Sequence, residues 1–295
     1  MLPFRTICLL DKPCFDRAMC ELNDDICDCA FADQYIWREK YQTEICHLEG
    51  AVLTRLALDG EPAFGFPAGG SLGRSLRALI AHCQATGERL KLGLLSDEMR
   101  RRIEAEMPGA FLFEERRDSA DYLYQAEKMI SLAGQKLHSK RNFINRFRAA
   151  YDGHWSFEAF DPDQTAELFE YEARWCRDNR TSEGDLVAEN QAIVSLLENA
   201  RVLDVKGGVL RLEGQVIGFS LGTFINPDVF CVHIEKADWM IAGAYQVLAN
   251  ELARMYCQGI AMINREDDMG IEGLRKAKMS YQPDKIAMKY VATLV

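Results

Sequence analysis

The amino-acid sequence predicts an α/β (α+β) protein of two tandem domains, each a mixed central sheet flanked by helices. Three observations lead there. Helical and strand patterns in the second half run α-α-β-β-β-α-β-α-β, and nearly the same order occurs in the first half. A basic segment separates the two copies. Apolar runs stop at clusters of polar residues and glycine, as strands do at the rim of a sheet, and in open α/β sheets that rim is where ligands bind.

The second half is the clearer copy. Asp161-Pro162 reads as a helix start, an N-cap residue type followed by proline in the first turn, and residues 161–180 carry Leu168, Tyr171, Glu172 and Trp175 at helical spacing. A second helix is read over 186–200. Strands follow at 202–212, broken by Gly207-Gly208, at 216–225 and at 229–237, with Asn226-Pro227-Asp228 turning between the last two. A helix over 242–256 puts Leu248, Leu252, Met255 and Tyr256 on one face. A strand at 260–263, a short helix marked by Leu274, Ala277 and Tyr281 and stopped by Pro283, and a final strand over 285–294 complete the half.

In the first half, helices are read over 13–22 and 31–41, strands at 44–49, 52–58 and 63–66, and a helix over 72–86. A strand at 91–95, a helix at 97–107 and strands at 111–114 and 121–127 follow. The expected division is a domain over 1–127, a basic connecting helix over 128–152 and a domain over 153–295.

The 295 residues, 48% hydrophobic and 27% charged, have the composition of a globular protein with a substantial core. No apolar run is long enough to span a bilayer, and the first ten residues lack the features of a signal peptide, so a cytoplasmic location is expected. Ten cysteines in a long chain without C-x-x-C pairs are expected as reduced, small apolar thiols, with no metal site. The net charge of −10 excludes a general nucleic-acid coat, but two basic islands interrupt it. Residues 128–151 hold Lys128, Lys136, Lys140, Arg141, Arg146 and Arg148 with no acidic residue, and 273–295 hold Arg275, Lys276, Lys278, Lys285 and Lys289 against Asp284.

Three constellations could carry chemistry. Along 134–145, a helix would turn Leu137, Ile144, Phe147 and Tyr151 inward and present Lys136 and Lys140 on another face, an arrangement suited to phosphate; a solvated linker helix is the other reading. In the strand Phe230-Cys231-Val232-His233-Ile234-Glu235-Lys236, alternation puts Phe230, Val232 and Ile234 on one face and Cys231, His233 and Glu235 on the other. The preceding strand places Gly218, Ser220 and Gly222 on one face. Beside His233 and Glu235 these would leave a cleft next to a general base, although a structural histidine fits the same pattern. The third is the turn Trp239-Met240-Ile241-Ala242-Gly243-Ala244, where backbone N–H groups at a helix start could bind a phosphate; Ala68-Gly69-Gly70-Ser71 opens the corresponding helix of the first half.

The most polar stretch follows the strand at 260–263. It holds Asn264, Arg265, Glu266, Asp267, Asp268, Gly270, Glu272, Gly273, Arg275, Lys276 and Lys278 before Tyr281-Gln282-Pro283. A solvated turn with mutually paired charges is one reading; a wall of a ligand site is the other.

Residues 134–145, His233-Ile234-Glu235-Lys236-Ala237, and 263–270 through Tyr281-Gln282-Pro283 resemble the hallmark segments of a bacterial family of uncharacterised function, itself similar to the C-terminal catalytic region of phosphatidylglycerol lysyltransferases. Gln135 stands where that pattern leads one to expect a basic residue. The resemblance covers most of the chain and implies two tandem GNAT-type acyltransferase domains. In the lysyltransferases this architecture moves an aminoacyl group from aminoacyl-tRNA to a lipid headgroup, and simple GNAT enzymes use acyl-CoA held at the turn before the central helix.

The expected function is therefore transfer of an acyl or aminoacyl group, from acyl-CoA or aminoacyl-tRNA, to an amine or hydroxyl of a small molecule or lipid headgroup, without a covalently bound cofactor. Glu235 or His233 is the expected base. Donor and acceptor contacts are expected from Lys136, His138, Lys140, Arg141 and Asn142 in the first segment, from Lys236 and Gly243 around the turn, and from Asn264, Arg265, Glu266, Asp268, Arg275, Lys278 and Tyr281 in the last. Two rivals fit the same residues: an acyl-CoA-dependent N-acetyltransferase of a small amine, and a non-catalytic module that binds a phosphorylated ligand.

Overall fold

A computed structural model describes residues 1–178 and 183–295. It divides into two compact units: residues 1–121 with 267–270 and 286–295, and residues 122–266 with 271–285.

The first unit opens with β1 (Arg5–Thr6), α1 (Lys12–Leu22), α2 (Phe31–Ile36) and α3 (Arg38–Tyr41), followed by β2 (Glu44–Leu48), β3 (Ala51–Leu58) and β4 (Glu61–Phe64). Next come α4 (Leu72–Thr86), β5 (Lys91–Leu95), α5 (Asp97–Glu106) and β6 (Phe111–Gln125), of which residues 111–121 belong to this unit. The helix read over 31–41 is thus two, parted at Trp37, whose ψ of 4° leaves the helical region. Helix α5 starts where the Ser96 hydroxyl accepts the Met99 N–H at 3.2 Å.

The second unit holds α6 (Ala126–Ser131), α7 (His138–Ala150), β7 (Trp155–Ala159), α8 (Ala166–Asp178) and α9 (Glu183–Glu198). Then follow β8 (Lys206–Leu212), β9 (Gln215–Asn226), β10 (Val229–Ala237), α10 (Ala244–Tyr256), β11 (Met262–Asn264) and α11 (Glu272–Met279). The last strand, β12 (Lys285–Leu294), pairs antiparallel with β5 and completes the first unit's sheet, in the order β1-β2-β3-β4-β5-β12-β6. The second unit's order is β6-β11-β10-β9-β8-β7, entered through residues 123–125 of β6.

Each sheet is mixed for the same reason. A crossover helix joins β4 to β5 in one unit and β10 to β11 in the other, and each of these consecutive pairs is parallel, because a parallel pair needs a crossover where an antiparallel one needs only a turn. The doubled element order therefore holds from the strands onward: three strands, a crossover helix, a strand, a helix and a strand, twice over, preceded by α1, α2 and α3 in the first half and by α8 and α9 in the second.

Other expectations shift. The strands read at 111–114 and 121–127 are one strand, since Arg116 and Arg117 pair with Asp59 and Asp268 instead of ending it. Gly207 and Gly208 do not break β8: they lie in register with Leu221 and Ser220, and the Phe157 ring occupies the place of a Gly208 side chain. That strand starts at Lys206, four residues later than expected. The connecting helix over 128–152 is interrupted by Leu132 and Gly134, both at positive φ, and β7 was hidden in a polar stretch that buries little. Residues 179 and 180 of the helix read to 180 lie outside the described residues.

The second unit's core is centred on α10, whose Val247, Leu248 and Leu252 are buried against the sheet; Met255, read onto that face, is exposed. The Asn250 amide donates to the carbonyls of Met129 and Ile130 at 2.8 and 2.9 Å, satisfying acceptors at the end of α6.

Candidate active site

The second unit's parallel strands form a fork. Strands β10 and β11 pair only from Val229↔Met262 to Cys231↔Asn264, after which β10 runs on to Ala237 without that neighbour. On the other arm the chain turns sharply. The Asn264 side-chain oxygen, Oδ1, accepts the Glu266 N–H at 2.7 Å, and Glu266 takes a φ of 55°, a left-handed conformation that costs a non-glycine residue free energy. Two side-chain bridges cross the fork, His233 Nδ1 to Glu266 Oε1 at 2.8 Å and Arg265 Nη2 to Glu235 Oε1 at 2.5 Å.

The histidine is tightly held. Its ring is fully enclosed, and Nε2 lies 2.8 Å from the Thr223 hydroxyl on β9. A register shift between Val232 and Ile234 accompanies this arrangement, and it disrupts the simple alternation expected of the strand. Both faces of β10 are consequently buried, Cys231 and His233 as well as Phe230, Val232 and Ile234. His233 and Glu235 do not form a pair; each is bound to a different residue of the opposite arm.

Around the second bridge, the Arg265 guanidinium lies 5.0 Å from the Tyr281 ring centre and 5.9 Å from that of Tyr124, while Lys140 of α7 stands 4.2 Å over Tyr281. Burial opposes the charge on Arg265, but Glu235 beside it raises its pKa above the ordinary value. Burial, together with Arg265, lowers the Lys140 pKa, and Glu235 only partly offsets this. Burial also pushes the Tyr281 hydroxyl up to about 12. Three buried polar atoms here have no hydrogen-bond partner among the described residues: Glu235 Oε2, Arg265 Nη1 and the hydroxyl of Ser220, the residue opposite Glu235 across β9 and β10. Unsatisfied buried atoms are uncommon in folded proteins, and a group of them is what a polar ligand would satisfy.

The three sequence segments thus contribute Lys140, Glu235, Arg265 and Tyr281 to one place. Other expected residues do different work. Lys278 donates to the Arg265 carbonyl at 2.6 Å, holding the turn, and Arg141 donates to the Gly134 carbonyl at 2.8 Å and to that of Leu132. Lys236 is buried between Glu172 at 2.8 Å and Glu189 at 3.1 Å, 3.7 Å from the Trp175 ring centre. Asp268 belongs to the first unit, where it meets Arg117 at 3.4 Å and accepts the Gly270 N–H. Lys136 and His138 are exposed, with Asn142 3.3 Å from the His138 ring, and Arg275 is half-buried on α11.

The glycines leave no cleft. A Cβ on Gly222 would lie 2.0 Å from the Cys231 carbonyl oxygen, and one on Gly218 2.8 Å from that of Lys236, so these residues admit a neighbouring strand and not a ligand. Gly243, at a φ of 95°, begins α10, but a side chain there would meet the Phe143 carbonyl at 2.7 Å; its bareness lets α7 pack. Alternation on β9 places Ser220 beside Glu235, as the structure does, but Thr223, Tyr124 and the partners of Lys236 carry no local signal, since Glu172 and Glu189 lie on helices remote in sequence from it.

Paired strand–helix–strand crossovers, each joining a parallel strand pair, define a tandem GNAT-like fold. A tandem GNAT protein from the clavulanic acid biosynthesis pathway superposes with a TM-score of 0.51 over 99% of this chain and 98% of its own, at 11% identity. The chain belongs to the family described as phosphatidylglycerol lysyltransferase, C-terminal, whose sequence profile matches residues 21–293. The structure of L-PGS from Bacillus licheniformis matches with a TM-score of 0.64 at 15% identity, covering 90% of this chain and 91% of that one. A conserved protein of unknown function from Bacteroides thetaiotaomicron is 36% identical over the full length of both chains, with a TM-score of 0.94. An uncharacterised protein of Mycoplasmoides gallisepticum is 28% identical over 182 residues, 60% of this chain and 57% of that protein. Among the described residues, no helix is long and apolar enough to cross a membrane.

Proposed function

We propose that this protein transfers an acyl or aminoacyl group from acyl-CoA or aminoacyl-tRNA to an amine or hydroxyl, at the fork between β10 and β11. The observation that carries the reading is the Glu235–Arg265 bridge, in which each partner keeps one buried polar atom unpaired. The acceptor's nitrogen or oxygen attacks the donor carbonyl, the new C–N or C–O bond replaces the thioester C–S or ester C–O bond, and Glu235 Oε2 takes the proton that the leaving thiolate or alkoxide recovers. Arg265 Nη1 is placed to bind a carboxylate, phosphate or developing oxyanion. Glu235 is favoured over His233 as base because both ring nitrogens of His233 are engaged and its ring is enclosed. The family name supports an aminoacyl donor and a lipid-headgroup acceptor, and exposed Lys136 with Lys140 suits a phosphate-bearing donor in either case.

Melting temperatures measured with CoA, acyl-CoA and aminoacyl-tRNA test the donor, because a true ligand stabilises the fold by mass action. A rise of several degrees with one donor, followed by transfer of its labelled group to an amine or hydroxyl acceptor, is expected. Glu235→Gln should then abolish turnover and leave the donor-induced rise in place. No response to any donor would leave the binding module as the better reading, and unchanged turnover in Glu235→Gln would remove the assigned base.

A further inference from the structure

The first bridge of the fork carries a second inference. Cys231, His233 and Glu266 each present one donor atom within 4.8 Å of the other two. We propose that these three residues bind a single divalent transition ion of the zinc class, through Cys231 Sγ, His233 Nδ1 and a Glu266 carboxylate oxygen.

A thiolate, an imidazole nitrogen and a carboxylate oxygen form a donor set that zinc and cobalt accept, and three protein ligands leave a fourth position open for water or substrate. The spacing is close to what such an ion needs. His233 Nδ1 and Glu266 Oε1 are 2.8 Å apart, and Cys231 Sγ and Glu266 Oε1 are 3.7 Å apart. Bonds of about 2.0–2.3 Å in tetrahedral geometry imply donor separations of about 3.3–3.6 Å, so these two separations need change by roughly half an ångström or less. The ion would replace the direct contact between His233 Nδ1 and Glu266 Oε1.

The surroundings orient these ligands as the outer shell of a metal site does. Thr223, Cys231 and Asn264 are aligned across three neighbouring strands by the register of β9, β10 and β11. Thr223 Oγ1, 2.8 Å from His233 Nε2, can accept that N–H and so leave Nδ1 as the ligating nitrogen. The Asn264 side chain fixes the left-handed turn that brings Glu266 to the histidine. Cys231 and the His233 ring are enclosed, whereas the Glu266 side chain is 19% exposed, which gives an ion a side from which to enter. The sequence reading expected no metal because the ligands come from two strands and a turn, at spacings unlike any short motif.

An alternative use of Thr223–His233–Glu266, as a nucleophile with its base and orienting carboxylate, has suitable distances. It requires an accessible hydroxyl, and Thr223 is buried in mid-strand.

The test loads the chelator-treated full chain with Co2+ and Zn2+. One tightly bound equivalent is expected, with a near-ultraviolet thiolate-to-cobalt band that Cys231→Ser removes. Thr223→Val, which leaves all three ligands in place, should weaken affinity by about 10–100-fold. X-ray absorption of the zinc-loaded wild type should show one sulfur at about 2.3 Å among nitrogen and oxygen neighbours, which keeps the question decidable if Cys231→Ser does not fold. Absence of stoichiometric binding, a cobalt–thiolate band that persists in Cys231→Ser, or zinc without a sulfur neighbour overturns the assignment. All readouts are made on the resting protein and stand apart from the transferase reading.

Discussion

Arg265 and Glu235 face each other at 2.5 Å across the open end of a parallel strand pair, and each side chain is 13% exposed. Breaking an enclosed ion pair from one side leaves an uncompensated charge, whereas removing both charges avoids that penalty. Arg265→Met is therefore expected to destabilise the protein by about 3–5 kcal/mol in urea unfolding. Adding Glu235→Gln to Arg265→Met should recover a substantial part of the loss. If Arg265→Met costs less than about 1 kcal/mol, the pair is solvent-screened like an ordinary surface bridge.

Much of this arrangement was legible in the sequence because strand ends and helix faces leave local marks. Tyr281 and Lys140 fall on helical spacings, and Asn264 and Arg265 follow an apolar run, so the segments that meet at Glu235 could be named before they were seen together. Partners within the site were less legible. The register shift at His233 and the left-handed Glu266 bring together two residues that strand alternation gives no reason to pair. Basic residues were overassigned to ligands for a similar reason: a lysine that will donate to a backbone carbonyl, as Lys278 does, has the same local pattern as one that will meet a phosphate. Helix and strand periods identified the repeated architecture, yet the place of β12 beside β5 depends on pairing across nearly two hundred residues, which no local pattern records.

Lys140 offers a chemical check on the same site. Burial and the neighbouring Arg265 lower its pKa, and Glu235 only partly offsets them. At mildly alkaline pH it should therefore carry more neutral amine than an ordinary lysine near 10.4. Its half-buried side chain remains within reach of a small reagent. Competitive acetylation read by mass spectrometry should give a pH midpoint below the ordinary lysine range, moving upward in Arg265→Met. A midpoint within the ordinary range in both proteins would contradict the proximity of the two charges.

Asp11 should make the first unit acid-sensitive. Burial alone would raise its pKa, but bonds from Arg5, from the Cys8 N–H at 2.8 Å and from His47 outweigh burial and hold it well below the usual carboxylate value. A depressed carboxylate contributes stability above its unfolded value, near 3.9, and loses it as the pH falls toward the lower folded value. Asp11→Asn is expected to cost about 1–3 kcal/mol at neutral pH, toward the low end because Arg5 is half exposed. The difference between wild type and variant should shrink as urea unfolding is repeated from pH 5 toward pH 2. A difference constant over that range would place the contribution outside the carboxylate's charge.

The same unit contains a buried charge cluster centred on Lys289 of β12. Its ammonium lies 2.7 Å from Asp121, 2.6 Å from Asp28 and 3.2 Å from the Cys27 sulfur, and the side chain is only 2% exposed. Burial opposes its charge, but Asp121 and Asp28 more than offset this and raise its pKa well above the ordinary lysine value. Burial also raises the pKa of Asp28, despite Lys289 beside it, and pushes the Cys27 thiol far upward. Lys289→Met would leave two carboxyl groups enclosed without their counter-charge, and a loss of about 3–5 kcal/mol is expected. A lysine with a raised folded pKa contributes fully below its unfolded value, near 10.4, and loses that contribution only as the pH rises through the folded one. The gap between wild type and Lys289→Met should therefore persist from neutral pH to about pH 10 and narrow above it. Adding Asp121→Asn and Asp28→Asn should restore stability relative to Lys289→Met, since the carboxylates are then no longer charged. If the single variant is as stable as the wild type, the ion cluster does not hold β12 in the sheet.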